Sequence, residues 1–195
     1  MRRFRKASKP LRDEIRLHTT ARRVQRAVPL EPEDRQPKRR RWHVLVDLLT
    51  EFGPPSGVLV AEVGTHSGYT AAHLLKYCPQ IARLYAIDIE KPHPDLDFIT
   101  DLERVQLLLG RSAECANGFA DETFDLVFVD ADHSEESVLC DLQAWVPKVK
   151  RGGLITGHDY GSHNHPGVEV AVKTYFRDHP HPVRLEANKV WWTIR

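Results

Sequence analysis

The segment from Val58 to Leu75 constrains the fold of this chain more than any other part of its sequence. It has the pattern of a buried apolar strand, a short loop holding Gly64 and Gly68, and a helix with one apolar face. A second strand follows at Leu84 to Asp88 and ends in a carboxylate. Because neighbouring parallel strands end at the same edge of a sheet, the loop amides and Asp88 can contact one ligand that carries a diol and a charged tail.

Strand-like and helix-like runs alternate from Val58 onward, which predicts an α/β fold with a parallel sheet covered by helices on both faces. The length of 195 residues suits one domain with a sizeable core. The expected core strands are Val58 to Val63, Leu84 to Asp88, Val105 to Leu109, Leu126 to Asp130 and Gly153 to Gly157.

Helical spacing predicts three further helices. One spans Trp42 to Phe52, just before the first strand. Another follows the fourth strand, begins at an Asp132 or Ser134 cap and ends at Gly152-Gly153, and a third starts near Pro166.

The C-terminal residues 182–194 predict an antiparallel hairpin with its turn at Ala187-Asn188-Lys189. Trp191 and Trp192 alternate along its second strand, so we expect one in the core and the other facing outward.

Positive charge is concentrated at the N-terminus. Residues 1–41 carry 15 Lys or Arg against 5 acidic residues, whereas residues 42–195 carry 13 against 22. Few large apolar residues and a Pro-rich stretch at 29–37 predict a basic, flexible extension over residues 1–41, followed by the folded domain over 42–195. Three interpretations of the extension stay open: a solvated tail, an organelle-targeting peptide, or a basic arm for an anionic partner such as nucleic acid.

The rest of the composition predicts an intracellular, cytoplasmic protein, with organelle targeting by the arginine-rich start as the alternative. No apolar run approaches the roughly 20 residues of a membrane span, and no secretory signal pattern follows the basic start. The three cysteines are odd in number and fit no metal-ligand or redox spacing.

Five motifs follow one another along the chain: Glu62 to Gly68, Ala86 to Asp88, Phe124 to His133, Gly152 to Tyr160 and Pro166 to Val168. Together they resemble the class I S-adenosylmethionine-dependent methyltransferases, and most closely their small O-methyltransferase-like group. The similarity extends over residues 42–195. It implies a Rossmann-like seven-stranded sheet, with five parallel strands plus a C-terminal antiparallel hairpin, and O-methylation of a small-molecule or sugar-type hydroxyl.

The resemblance gives the cofactor-binding residues their roles. Asp88 offers two acceptor oxygens to the ribose hydroxyls, and glycine lets the backbone approach the ligand closely. Ser67 would cap the next helix or bind the carboxylate end of the cofactor. Glu62 would hold loop amides or face the ammonium group. His66 stands where many relatives have glycine, which predicts a less tight loop. The predicted set is Glu62, Gly64, Thr65, His66, Ser67, Gly68, Asp88, Arg111, Ser112 and Asp130, with Arg111 and Ser112 where relatives contact adenine.

Polar residues follow the fourth and fifth strands, where the acceptor would lie. His133 is the predicted base, acting with Asp130, because imidazole titrates near neutral pH; a capping or surface role for His133 is the alternative. Asp130, His158 and Asp159 could hold a divalent metal such as Mg²⁺ that polarises the acceptor, or could bind the acceptor by hydrogen bonds. Related metal-dependent members have Asp-Asp or Asp-Asn where this chain has His-Asp.

The loop from Gly161 to Pro166 adds His163 and His165 to the same rim. It could be a metal clamp, an acceptor-binding lid or a polar loop.

Three other classes compete with the small-molecule enzyme. A methyltransferase acting on RNA or another anionic polymer would use the basic extension, although no Asn-Pro-Pro-Tyr or Asp-Pro-Pro-Tyr follows the fourth strand. A nicotinamide-dependent oxidoreductase would normally show Gly-x-Gly-x-x-Gly, whereas this loop has only Gly64 and Gly68. A binding module without catalysis is the third alternative.

Overall fold

A computed structural model describes residues 39–90, 101 and 103–195. Within these ranges the chain forms one seven-stranded sheet with helices on both faces, as predicted. The predicted extension lies outside the described residues except for positions 39–41. The helices are α1 (Arg41–Phe52), α2 (Tyr69–Tyr77), α3 (Ser112–Ala116), α4 (Glu135–Trp145) and α5 (Pro166–Tyr175), and the strands are β1 (Val58–Val63), β2 (Ile81–Asp88), β3 (Val105–Leu109), β4 (Phe124–Val129), β5 (Val149–Gly157), β6 (Arg184–Glu186) and β7 (Val190–Ile194).

The strand order is β3-β2-β1-β4-β5-β7-β6. The strands from β1 to β5 pair in parallel, and β7 pairs antiparallel with both β5 and β6. After β3 the chain crosses to the other side of β1, so β1 and β4 flank the point where the winding reverses. In open α/β sheets, ligands bind outside the carboxyl ends of the strands at this point.

Apolar residues alternate between two cores, one on each face of the sheet. In β4, Leu126 and Phe128 pack with α1 and α2, whereas Val127 and Val129 pack with α4 and α5. The two tryptophans of β7 follow the same alternation, and both are buried: Trp191 is 1% exposed and Trp192 3% exposed. The expectation that one of them faces outward is therefore wrong, because helices cover both faces at this strand.

The predicted end of α4 is also wrong. Ser134 is the cap and accepts from the Ser137 amide at 3.3 Å, as expected, but the helix stops at Trp145. A short 3-10 turn follows at Val146–Lys148. Pro147 in this turn lacks the backbone N–H that a continuing helix needs, so residue 149 starts β5 and Gly152-Gly153 lies within that strand.

Candidate active site

The loop between β1 and α2 turns through three residues with left-handed backbone angles. Gly64, His66 and Gly68 have φ angles of 89°, 48° and 76°. The amides of Gly64 and Thr65 donate to the Ile87 carbonyl at 2.9 and 3.0 Å, which ties the loop to the end of β2. His66 thus adopts a conformation that favours glycine, and the looser loop expected from this side chain stays a prediction.

Gly64 is required by the packing of two strand ends. A Cβ atom here would lie 2.3 Å from the backbone oxygen of Asp130 and 2.6 Å from the Cα atom of Ala131. The Asp130 amide in turn donates to the Val63 carbonyl at 2.8 Å. The predicted cofactor loop therefore touches the end of β4, and this contact alone accounts for a glycine.

Asp88 ends β2 with its carboxylate beside the same loop. Its Oδ2 atom accepts a hydrogen bond from the His66 amide at 2.7 Å, and its Oδ1 atom lies 3.4 Å from the Glu90 amide nitrogen. Two carboxylate oxygens offer about four acceptor positions, so this half-buried side chain keeps acceptors for hydroxyl groups. Asp88 both holds the loop and has the chemistry expected of a ribose ligand.

Glu62 is buried beneath the loop, with 1% of its surface exposed. Its Oε2 atom accepts a hydrogen bond from the Thr65 hydroxyl at 2.8 Å, and the Ala71 amide also donates to the carboxylate. Burial raises the pKa of Glu62 to about 8, although the Thr65 hydroxyl and the positive charge of Arg41 oppose this rise. Of the two predicted roles, the geometry favours the one in which Glu62 holds the loop.

The other predicted cofactor residues lie along the same edge. Gly68 is the cap residue of α2, so Ser67 does not cap this helix. The Gly110 amide donates to the Asp88 carbonyl at 2.9 Å, which brings the start of α3 close to the end of β2. There, Ser112 accepts a hydrogen bond from the Trp145 ring nitrogen at 2.7 Å, so its hydroxyl helps to hold the core. Arg111 is exposed just before α3.

Arg41, predicted to belong to the basic extension, is the first residue of α1 and lies within the site. Its Nε atom donates to the Thr70 hydroxyl at 3.0 Å, and its Nη1 atom lies 3.2 Å from Asp130 Oδ2. Trp42 stacks on His73 of α2 with ring centroids 4.4 Å apart, which fixes this end of α1. Arg41 therefore places a positive charge between the predicted cofactor side and the predicted acceptor side. One arginine in a run of three gives no sequence signal except its position next to the predicted helix.

Two carboxylates and two imidazoles meet beyond β4 and β5. His133 Nε2 lies 3.5 Å from Asp130 Oδ1 and 3.1 Å from Asp159 Oδ2. His158 Nδ1 lies 3.7 and 3.2 Å from the same two oxygens. The His158 amide donates to the Val129 carbonyl at 3.2 Å, which aligns the two strand ends. The sequence-predicted catalytic and metal residues thus form one cluster.

The ring nitrogens of this cluster have unused hydrogen-bonding capacity. His133 Nε2 and both ring nitrogens of His158 are buried and have no assigned hydrogen bond within the described ranges, although His133 Nε2 and His158 Nδ1 both face the carboxylates of Asp130 and Asp159. The carboxylate of Asp130 raises the pKa of His133, and the charge of Asp159 adds to this effect. Buried polar atoms without partners are rare in folded proteins, and here they point to a ligand at the cluster.

The donor set fits a divalent cation. Asp130, His158 and Asp159 can each offer one ligand atom, and these three atoms lie within 4.8 Å of one another. Carboxylate oxygen and imidazole nitrogen are ordinary ligands for divalent ions. The two unpartnered nitrogens of His158 add to this fit, since coordination would satisfy one of them.

A cleft of about 580 Å³ opens beside this cluster, between the starts of α4 and α5. His165 is on its wall and stacks on His133, with ring centroids 4.1 Å apart, whereas His163 is exposed. The predicted cofactor residues from Glu62 to Asp88 do not line the cleft. Six of its eight lining residues are polar: Asp132, His133, Ser134, Glu135, Asn164 and His165.

The strand order, the loop after β1 and the carboxylate after β2 together define a class I methyltransferase domain. The chain belongs to the family described as "Methyltransferase domain", whose model matches residues 61–160, about half of the chain. A protein from Mycobacterium avium (strain 104), named "Putative O-methyltransferase", is 33% identical over 120 residues, which cover 58% of this chain and 52% of that protein. The chain spans about half the length of the curated relatives it matches.

Solved structures share the fold at low identity. CalS11, a TDP-rhamnose 3'-O-methyltransferase of calicheamicin biosynthesis, has a TM-score of 0.60 and 16% identity, with 77% of each chain covered. A protein from Clostridium thermocellum named "putative rRNA-methylase" has a TM-score of 0.62 and 17% identity, with 78% and 93% covered. MycE, a methyltransferase of mycinamycin biosynthesis solved with Mg and SAH, has a TM-score of 0.57 and 18% identity, with 78% and 48% covered.

None of the helices described within residues 39–90 and 103–195 combines the length and apolar character that crossing a bilayer requires.

Proposed function

We propose that this chain transfers a methyl group from S-adenosylmethionine to a hydroxyl group of a small, polar acceptor, with sugars as the leading class. The proposal rests on one contact, which joins the predicted cofactor loop to the residues on the predicted acceptor side. Gly64 of the predicted cofactor loop packs against the backbone of Asp130, and the side chain of Asp130 lies 3.5 Å from the ring of His133. A cofactor held by the loop would have its reactive end beside a candidate base.

S-adenosylmethionine supplies a methyl group activated by a positively charged sulfonium. In this proposal Asp88 accepts hydrogen bonds from the ribose hydroxyls. The loop from Gly64 to Gly68 lies along the methionine end, while Glu62 holds the loop from below through Thr65. Arg111 and Ser112 border the adenine, and the Ser112 hydroxyl also accepts the hydrogen bond from Trp145.

His133 takes the proton of the acceptor hydroxyl as the new bond to oxygen forms. Methyl transfer is an in-line displacement, so the acceptor oxygen must be aligned with the methyl carbon. Asp130 and Asp159 both lie near His133 Nε2, so their negative charges stabilise the imidazolium that results. The polar wall of the neighbouring cleft orients the rest of the acceptor.

Asp130, His158 and Asp159 would hold a divalent cation such as Mg²⁺ in this proposal. Such a cation lowers the pKa of a bound hydroxyl and orients it. The support is the donor set and the unpartnered nitrogens of His158. MycE, which shares the fold, was solved with Mg and SAH.

The cleft also supports a small, polar acceptor over an anionic polymer. Asp132 and Glu135 place negative charge on its wall, next to Ser134 and Asn164. Residues 42–195 carry 22 acidic against 13 basic residues, so this part of the chain would repel a polyanion such as RNA. CalS11 is named for a sugar nucleotide acceptor, which agrees with a hydroxyl-rich ligand.

Removal of the Asp88 carboxylate tests the cofactor site. Calorimetry should show that Asp88→Ala binds S-adenosylmethionine at least about ten-fold more weakly, because hydrogen bonds to a charged group contribute roughly 1.5–3 kcal/mol each. Asp178→Asn, which changes an exposed carboxylate elsewhere, is the control. Equal affinity in the Asp88 variant and the wild type, with both folded, would reject the site.

Removal of the His133 ring tests the mechanism. His133→Ala should lower kcat roughly 100-fold or more, since a positioned general base contributes about 10²–10⁴, and should leave cofactor affinity nearly unchanged. His163→Ala, on the exposed part of the same rim, serves as the control. Full activity of His133→Ala would show that His133 is not the base. Full activity of the wild type after treatment with a chelator would show that no metal is required.

The acceptor class is tested by screening hydroxyl compounds with labelled cofactor. Methylation of sugars or sugar nucleotides would support the proposal. The RNA alternative depends on the basic extension, and it predicts salt-sensitive RNA binding that is lost when residues 1–40 are deleted.

A further inference from the structure

His133, Asp159 and His165 form a second group of metal-ligating side chains beside the site just described. Each can offer one ligand atom, and these three atoms lie within 4.8 Å of one another. His133 Nε2 is 3.1 Å from Asp159 Oδ2, and it is buried without a hydrogen-bond partner in the described part of the chain. In the proposed transfer His165 only lines the cleft, and that role does not require its ring to stack on the base.

The backbone holds His165 over His133. The Ser162 amide donates to the Asp159 carbonyl at 3.1 Å, and the His165 amide donates to the Ser162 carbonyl at 3.1 Å, so two successive turns bring the chain back toward α4. A Cβ atom at Gly167 would lie 2.5 Å from the Glu135 amide nitrogen. This glycine lets the start of α5 pack directly on the start of α4, which sets His165 against the His133 ring.

The donor types indicate which ion would bind. Two imidazole nitrogens and one carboxylate oxygen suit first-row transition ions such as zinc, whereas magnesium prefers oxygen donors and keeps its water. His133 and His165 of the triad line the cleft of about 580 Å³, so an ion there would have open coordination positions. The other donor set has two carboxylates and one imidazole, from Asp130, Asp159 and His158, and is therefore richer in oxygen than the triad.

We propose that His133, Asp159 and His165 form a second metal site, selective for a transition ion of the zinc type, that regulates the enzyme. The ion would bind the Nε2 lone pair of His133 and so prevent this ring from taking the acceptor proton. This regulatory consequence depends on the proposed function, but metal binding by the triad does not. Asp159 belongs to both donor sets, so the two sites are neighbours that share a carboxylate.

Metal binding by the full-length chain tests the site directly. After metal removal, Co²⁺ is added and its visible absorption is recorded, and Zn²⁺ affinity is measured by competition with a chromophoric chelator. His165→Gln should bind Zn²⁺ at least about ten-fold more weakly than the wild type and give an altered Co²⁺ spectrum, because the triad then keeps only one histidine ligand. His163→Gln, which changes an exposed histidine of the same loop, should behave as the wild type does. Asp130→Asn, which alters only the other donor set, should keep the spectrum.

Several outcomes would overturn the proposal. They are equal Zn²⁺ affinity in His165→Gln and the wild type, loss of affinity in His163→Gln, or displacement of Co²⁺ by millimolar Mg²⁺. His165→Ala and thermal unfolding of each metal-free variant separate loss of a ligand from loss of the fold. If methyl transfer is observed, Zn²⁺ should inhibit it. The inhibition constant for Zn²⁺ should be at least about ten-fold higher in His165→Gln than in the wild type, with the activity of each protein expressed relative to its own metal-free rate. Failure of the proposed function would instead appear as absent cofactor binding with metal binding intact.

Discussion

Replacement of Glu62 by glutamine should make the chain more stable relative to the wild type as the pH rises. Glu62 is buried, and burial raises its pKa from 4.5 to about 8. Between these values the folded state holds a proton that the unfolded state releases, so the free energy of unfolding of the wild type falls as the pH increases. Glutamine resembles the protonated acid in shape and does not titrate, so Glu62→Gln should not show this loss.

The magnitude follows from the size of the shift. One pKa unit corresponds to about 1.4 kcal/mol, and most of the shift is crossed between pH 5 and pH 8. The difference in unfolding free energy between Glu62→Gln and the wild type should therefore change by roughly 3 kcal/mol over this range, in favour of the variant. Above about pH 8 the wild type has lost all of the stability that depends on protonation of Glu62.

Urea denaturation at pH 5, 6, 7 and 8 measures this difference. Glu136→Gln is the matched control, because Glu136 is an exposed acid on α4; its stability should follow the wild type at every pH. If the unfolding free energies of the wild type and Glu62→Gln change in parallel from pH 5 to pH 8, Glu62 is not protonated in the folded state at neutral pH. Burial would then not raise its pKa as argued.

Two further predictions concern stability. Gly64→Ala should lower the free energy of unfolding by about 3 kcal/mol, since its Cβ atom would overlap the Asp130 backbone. The control is Gly57→Ala, which has a similar φ of 73° but open space around it and should lose only about 1 kcal/mol. Equal losses of stability in thermal unfolding would contradict the packing argument. Ser112→Ala leaves the buried ring N–H of Trp145 without its acceptor and should cost about 1–3 kcal/mol in urea denaturation, so an unchanged midpoint would show that another acceptor replaces it.

Segments with a regular spacing of apolar residues, and segments bounded by glycine or proline, could be predicted well from the sequence. The bounds of β1 and β3 and the start of α5 at Pro166 agree with the structure, because a short apolar run bounded by turn residues and a proline at a helix start leave clear local patterns. The strand-end residues Asp130, His158 and Asp159 could be placed together for a topological reason, since parallel strands bring their carboxyl ends to one edge.

Features set by tertiary contacts could not be predicted in the same way. Arg41 looks like any other residue of a basic run, and only the packing of α1 on α2 brings it to Asp130. The stacking of His165 on His133 depends on how closely α5 packs on α4 at Gly167. Nor could local pattern separate a glycine that makes room for a ligand from Gly64, which makes room for its own neighbouring strand.

The contact at Gly64 has a mechanical consequence. The loop after β1 and the end of β4 meet backbone to backbone, and the Asp130 amide is hydrogen-bonded to Val63. Because no flexible side chain separates them, a movement of the loop toward β4 would displace the Asp130 backbone. Any ligand that moves this loop on binding would therefore also move the Asp130 carboxylate, and occupancy of one half of the active site would be transmitted to the other by steric contact alone.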